Sequence, residues 1–270
     1  MRHQETSIVA RRAAIRALWS EQRYAGSRDT SRHPKKDQLI MSAQQPPPSA
    51  YAAFWLYQRR ESWYDQTEAE RGAAEREFLA LLEAPGDGVT LRGVYTSLGL
   101  SSSVDLIIWA HCPVLAPLQS FAIAFDKTAA GRHLVTRQNY MGFGGMSLYD
   151  PTHGPAFVKG VAPKRYLSVY PFTKTPDWYL LDYGERRRLM IEHGEMGREF
   201  PEILTNTVNS FGIQDQEFVV ALEDDDPNQI IRMVQRLRAA EVRKWTGLDT
   251  PIYLGDRKSP ADVFSDLRGR

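Results

Sequence analysis

From about residue 50 the chain moves between two hydrophobic periodicities. YAAFWLYQR (51–59), VTLRGVYTSL (89–98), VDLIIWAH (104–111) and LVTRQNYMGFG (134–144) are rich in aromatic and β-branched residues and read as strands. VDLIIWAH is nearly all apolar, as expected of a strand covered on both faces. Between these runs, QTEAERGAAEREFLALLEA (66–84) has helical spacing, with Phe78, Leu81 and Leu82 on one side. VLAPLQSFAIAFDKTAAG (114–131) reads as a second helix despite Pro117. The predicted order is β-α-β-β-α-β.

The order then recurs. RYLSVYPF (165–172) reads as a strand, and DYGERRRLMIEHGEMGREF (182–200) as a helix with Asp182 as its N-cap. ILTNTVNSFG and EFVVALE follow as strands. DPNQIIRMVQRLRAAEVRKW (226–245) reads as one helix opened by Asp226 and Pro227, and PIYLG closes the set. SLGLSSSVDLIIWA (97–110) lies over SFGIQDQEFVVALE (210–223) at one fixed offset, so the two halves share wording as well as order. The fold class expected is α+β: two ferredoxin-like β-α-β-β-α-β repeats whose sheets face each other, helices outside.

This divides the chain into a disordered basic tail (1–46), an N-terminal half (47–141), a connecting loop (142–164), a C-terminal half (165–258) and a short tail (259–270). The connecting loop is Gly- and Pro-rich and longer than a plain linker, and long loops in compact domains are commonly functional.

Composition is ordinary for a globular protein, 42% hydrophobic and 25% charged with a net charge of +1. The charge is unevenly spread. Residues 1–45 hold nine Lys/Arg against four Asp/Glu, and the rest holds 25 against 29. The body is therefore mildly acidic, which argues against nucleic-acid binding. The single cysteine, Cys112, rules out an intrachain disulfide and fits a reducing, cytoplasmic setting. No apolar run reaches the ~18–20 residues of a membrane span.

The helix at 182–200 carries the most unusual pattern. Steps of three and four give Leu189, His193, Met196 or Gly197, and Phe200 on one face. An interior glycine costs about 1 kcal/mol relative to alanine, yet Gly194 and Gly197 both lie here. They strip bulk from around an imidazole, so this helix can press against something flat.

These pieces together resemble the coproheme decarboxylases of the chlorite dismutase-like superfamily, in their actinobacterial form. YPF (170–172), DWY (177–179), ERRRLMIEHGEMGREF (185–200), NSFG (209–212) and the terminal IYLG carry the resemblance, which covers residues 140–257. It implies a dimeric α+β barrel within one chain, assembled as a homopentamer. It also implies a reaction: hydrogen peroxide drives oxidative decarboxylation of two propionates of iron-coproporphyrin III (coproheme), which is substrate and cofactor at once, to give haem b as product. A transient contact with the coproporphyrin ferrochelatase is a further implication.

The resemblance assigns roles residue by residue. His193 would be the iron ligand, with Glu241 taking its other ring N–H. Tyr170, 23 residues earlier, would form the radical that removes hydrogen from the propionate, and Tyr166 shares its strand face. His153, 17 residues before Tyr170, would take the proton of the incoming peroxide. Lys174 and Tyr149 are candidate propionate contacts, with Arg132 and Arg137 looser ones. Trp178 is either a secondary electron donor or a packed aromatic. Asn206, 13 residues after His193, stands where chlorite-degrading members carry an arginine on the open face of the haem. Asn brings no fixed charge to hold an oxyanion, which argues against chlorite dismutation. The rival readings are a chlorite dismutase-like or general haem peroxidase, and a haem-binding carrier or sensor without turnover.

Overall fold

The computed structural model describes residues 49–150 and 153–268. The predicted basic tail (1–46) lies outside them. The first repeat runs β1 (Ala50–Arg59), α1 (Glu68–Glu83), β2 (Thr90–Thr96), β3 (Leu106–Cys112), α2 (Leu115–Lys127), a one-turn α3 (Ala129–Arg132) and β4 (Leu134–Gly144). The second runs β5 (Tyr166–Lys174), a short α4 (Pro176–Leu180), α5 (Tyr183–Arg198), β6 (Leu204–Asn209), β7 (Phe218–Asp224), α6 (Pro227–Arg238), β8 (Thr246–Leu248), β9 (Tyr253–Lys258) and α7 (Pro260–Arg268).

Each repeat pairs its strands antiparallel in the ferredoxin-like order, β4-β1-β3-β2 and β9-β5-β7-β6. The repeats join through β2–β9 and β4–β6, so eight strands close a ring, with β8 added beside the end of β5. The predicted α+β barrel of two repeats is what the chain forms. Closure leaves no open edge on those eight strands.

Two cores explain the apolar strands. Phe54, Leu56, Ile107, Trp109, Leu167, Val169, Val219 and Ala221 point into the barrel. The alternate residues of the first sheet, Trp55, Tyr57, Leu106 and Ile108 among them, pack outward against α1 and α2 through Phe78, Phe121 and Phe125. With both faces covered, β1 and β3 lose the alternation of a half-exposed strand. The helix starts follow the sequence signals. Thr67 and Glu70 form a capping box, and Asp182 accepts a 3.0 Å bond from the Glu185 N–H.

Three expectations are corrected. Residues 259–268 are not a tail. α7 inserts Val263, Phe264 and Leu267 into the first repeat's outer core, and the Leu267 carbonyl accepts from Trp63 Nε1 at 2.7 Å. A buried Phe or Leu is worth about 1.5–3 kcal/mol, enough to hold three such residues down. The predicted helix over 226–245 stops at Arg238, and residues Glu241–Trp245 form a separate 3₁₀ turn. The internal match also has a slip. Ser97 and Ser210 open the same turn, each carbonyl accepting from the residues three and four on, with Gly99 (φ 76°) and Gly212 (φ 73°) at equivalent places. The loop after Ser210 is one residue shorter: Ser97 N–H reaches the Asp105 carbonyl, Ser210 N–H that of Glu217. Ile107 and Val219 are therefore the equivalent inward residues, one step off the sequence offset, because strand side chains alternate faces.

A polar network crosses the barrel interior. A bulge between Leu91 and Gly93 in the β2–β3 ladder leaves Arg92 as the extra residue. Its side chain turns inward to Glu223 Oε1, at 2.8 Å from Nε and 2.7 Å from Nη2. The guanidinium also lies 4.9 Å over the Trp109 ring. His111 sits nearby, its ring 5.0 Å from that of Phe157. Burial, helped by Arg92, lowers its imidazole to about 4. The fold thus favours neutral His111, whereas the unfolded chain protonates it near pH 6.5. Stability should be unaffected above that pH, fall as pH drops from about 6.5 to about 4, and lose no more below. The loss is about 1–2 kcal/mol once partial exposure is allowed for. His111→Gln should flatten the acid limb of urea midpoints measured from pH 7 to pH 4. An acid limb identical to wild type would contradict this origin.

Among the described residues no helix is long and apolar enough to cross a membrane.

Candidate active site

The second repeat is packed differently from the first. Its outer core is split into two small clusters. One joins Trp178, Leu189, Ala240 and Val242, the other Ile203, Leu222, Ile230 and Met233. The gap between these two clusters, bordered by β5 and α5, is the candidate cleft. Leu167 and Val169 face the barrel, so the alternate residues of β5, Tyr166, Ser168, Tyr170, Phe172 and Lys174, face the helices. α5 presents Leu189 and His193 on its inner face.

His193 is nearly enclosed. Burial, with Lys174 and His153 adding like charge, lowers its imidazole to about 4, so the ring is neutral at physiological pH. Its buried Nδ1 has no hydrogen-bond partner in the structure. Arg186 lies seven residues earlier on the same helix face, and its buried Nε is likewise unpartnered. Buried polar atoms are nearly always bonded, and exceptions concentrate at functional sites. Around a Cβ added at Gly194 there is no atom within 4 Å, and at Gly197 the nearest is Met233 Cε at 3.9 Å. The glycines thus clear space beside His193, as their placement in the sequence suggested.

Tyr170 packs on the Ile203–Met233 cluster, as do Val234 and Leu237 of α6. Burial pushes its phenol up to about 12. Lys174, one face-repeat further along β5, holds its ammonium 4.6 Å over the Trp178 ring and 5.2 Å over Phe172. Burial lowers it to about 8, against the pull of Glu217. Trp178 is buried and 6.1 Å from Trp245. Tyr149 stacks on Tyr183 at 6.0 Å and packs beside Trp178 and Leu189. His153, on the connecting loop, keeps its ring open to solvent; what shielding it has, with Lys159 nearby, lowers its pKa.

Two assigned residues are not where the resemblance put them. Asn206 is fully buried and faces the barrel, not the cleft. Its Nδ2 donates to Glu223 Oε1 at 2.9 Å, and its Oδ1 accepts from the Phe157 N–H at 2.9 Å. The neighbours that alternate with it, Thr205 and Thr207, face the helices, and Thr207 pairs with Val220, which pairs with Tyr170. β6 carries no arginine on either face. Glu241 bonds Arg188 (2.9 Å) and Lys244 (3.1 Å) instead of His193. Arg132 and Arg137 bond within the first repeat, to the Lys127 carbonyl and to Gln58.

The residues present fit an iron porphyrin. A neutral imidazole with room beside it suits iron, and the cations Lys174 and Arg186 suit carboxylates. Among the described residues no three His, Cys, Asp or Glu side chains converge as a metal site. Sequence reasoning missed Arg186. It lies within the matched helix motif, but only the tertiary structure marks its Nε as buried and without a partner.

The profile of the chlorite dismutase family matches residues 71–258. A coproheme decarboxylase from Mycolicibacterium smegmatis is 34% identical over 181 residues, 67% of this chain and 78% of that protein. In fold, a mutant chlorite dismutase from Candidatus Nitrospira defluvii superposes with a TM-score of 0.74 at 24% identity, over 81% of this chain and 95% of that one. The imidazole complex of the same organism's enzyme gives 0.74 at 23% identity, with the same coverage.

Proposed function

This chain belongs to the chlorite dismutase family, and within it we propose that the protein is an enzyme of haem biosynthesis, a peroxide-dependent coproheme decarboxylase. The observation that carries this reading is a buried phenol, Tyr170, on the same cleft as a neutral, space-cleared His193 and the cations Lys174 and Arg186. The relative at 34% identity bears that name. Asn206 stands at the position of the arginine of chlorite-degrading members and β6 carries no arginine on either face, which speaks against chlorite dismutation. A carrier or sensor would have no use for a tyrosine held beside a carboxylate site.

Each turnover converts one propionate: R–CH₂CH₂–COO⁻ + H₂O₂ + H⁺ gives R–CH=CH₂ + CO₂ + 2H₂O. When bound, the iron porphyrin supplies the oxidising power that peroxide delivers. The chain's residues do the rest. His193 would hold the iron through its neutral nitrogen, and Gly194 leaves open space beside it. Lys174 and Arg186 offset carboxylate charge. Tyr170 would give up its phenolic hydrogen to one oxidising equivalent of the peroxide and take one from the propionate β-carbon; CO₂ then leaves as the second equivalent accepts the remaining electron. His153, held neutral by its lowered pKa, accepts the proton of incoming peroxide. The enzyme works in the cytoplasm, and a homopentamer that contacts a ferrochelatase transiently is the assembly consistent with this reading.

The test is anaerobic titration of the protein with ferric coproheme, then stepwise peroxide with mass spectrometry of the porphyrin. Two successive losses, each of CO₂ and two hydrogens, are expected. Peroxide consumption with no vinyl product would favour a general peroxidase, and no reaction at all a carrier. His153→Ala should bind coproheme normally but react with peroxide roughly 10²-fold more slowly near pH 7, at the low end for a general base because the ring is accessible to water. The deficit should shrink at high pH, where peroxide ionises unaided. Wild-type rates at pH 7 in stopped-flow would remove His153 from the mechanism.

A further inference from the structure

The connecting loop changes character at one residue. His153 is exposed, and residues 154–157 directly behind it are buried. Neither helix nor strand holds that buried stretch; β6 does. The Thr205 carbonyl accepts from the Ala156 N–H at 3.1 Å, and Asn206 Oδ1 accepts from the Phe157 N–H at 2.9 Å. The Phe157 ring plugs the barrel. It lies 6.0 Å from the Trp109 ring and 5.0 Å from that of His111, and a Cβ at Gly144 of β4 would lie 2.7 Å from its Cζ. Further along, Arg92 Nη1 donates to the Val161 carbonyl at 2.9 Å, and Glu223 Oε2 accepts from the Lys164 N–H at 3.1 Å.

The Asn206 amide is fixed in one orientation. Turned over, it would offer a donor to the Phe157 N–H, which needs an acceptor. The Glu223 carboxylate, held by Arg92, only accepts, so it takes Nδ2 at 2.9 Å and thereby aims Oδ1 at Phe157. His153 lies four residues before Phe157, and its own carbonyl accepts from the Ser147 N–H at 2.8 Å. Its ring feels Lys159 and Asp150 of the loop and Arg198 at the end of α5, and its charge is felt in turn at His193. Four residues of slack chain span up to about 14 Å, whereas proton transfer needs contact at about 3 Å. The place of the imidazole therefore depends on what holds residues 154–157.

We propose that Asn206, its amide oriented by the Arg92–Glu223 pair, is a positioning residue for His153: the polar network inside the barrel holds the loop so that the imidazole meets incoming peroxide. The proposal rests on the reading of His153 as the proton acceptor. It gives the barrel interior a part in the chemistry of a cleft that lies on the other side of the sheet.

The test is Asn206→Ala, which removes the bond to Phe157 and keeps the Arg92–Glu223 pair. In unloaded protein, hydrogen exchange read by mass spectrometry should be at least about tenfold faster over residues 154–160 than in wild type, with β1 and β3 unchanged. Loaded with ferric coproheme, the variant should react with peroxide roughly tenfold more slowly near pH 7 in stopped-flow, between wild type and His153→Ala, because a displaced base is a weaker one. Its coproheme affinity should change by less than about twofold. The decisive measurement is the double variant. Added to His153→Ala, Asn206→Ala should slow peroxide no further, since no imidazole remains to be misplaced. A residue needed only for stability would slow both backgrounds alike. Phe157→Leu loosens the same stretch without touching the charged network and should repeat the pattern, so a poorly folding Asn206→Ala does not decide the matter. Val263→Ala, in the outer core away from the loop, should lower the melting temperature and leave the peroxide rate at the wild-type value. Unchanged exchange over residues 154–160, wild-type peroxide rates in both loop variants, or equal slowing on the His153→Ala background overturns the proposal. A wild-type rate in His153→Ala itself overturns the proton-acceptor reading and the positioning role together. The expected peroxide kinetics without any vinyl product would sink the decarboxylase reading and leave the positioning role standing.

Discussion

Tyr170→Phe is expected to bind ferric coproheme like wild type and consume peroxide, yet form haem b at least about 10³-fold more slowly, a barrier increase of more than about 4 kcal/mol. The phenyl ring keeps its packing on the Ile203–Met233 cluster, so the pocket should not collapse. Only the phenolic hydrogen is lost. Burial holds that phenol at about 12, so it carries its hydrogen throughout the working pH range. Oxidising equivalents should then damage the porphyrin instead of its side chains, visible as bleaching of the Soret band without vinyl products by mass spectrometry. A carrier would show no such split between wild type and variant. Haem b formation at the wild-type rate would transfer the role to Trp178 or Tyr166.

The second large effect is on stability. Glu223→Ala should cost about 3–5 kcal/mol, because it strands the buried Arg92 guanidinium. The Glu223 carboxylate is fully buried and also serves Asn206 Nδ2 and the Lys164 N–H at 3.1 Å, which lose their acceptor too. For a domain of this size the melting temperature should fall by roughly 10 °C. The pair joins β2 of one repeat to β7 of the other across the barrel, so the loss should slacken contact between the repeats. Arg92→Met combined with Glu223→Leu should recover much of it, since replacing both charges leaves none unpaired. A melting temperature for Glu223→Ala within about 2 °C of wild type would show that the network contributes little.

The network bears on how the site was read. Asn206 matched a family position by spacing alone, and spacing assigned it to the cleft. Its side chain instead completes the barrel's polar bond set. Glu241 was likewise matched by position, and its carboxylate went to Arg188 and Lys244. By contrast, Trp178, Lys174 and Tyr149 gather beside the inner face of α5 that carries His193, and Tyr170 shares the Lys174 face of β5. Their signal was a composite of motif, glycine placement and strand parity, and parity holds along an unbroken strand such as β5.

The periodicity of the sequence determined the element order, the doubled ferredoxin-like repeat, the capped start of α5 and the glycine-cleared face around His193. Those features follow from local spacing, because a helix or strand buries residues at fixed intervals along itself. Only the tertiary structure decided the inward turn of Arg92, the direction of Asn206 and the docking of α7. A single extra residue in a bulge, or one fewer in a loop, reverses which face a side chain meets. The partners of a charge are set by strand pairings between segments distant along the chain: Arg92 meets Glu223 across 131 residues. Local spacing carries no record of such pairings, and burial within the closed barrel fixes them.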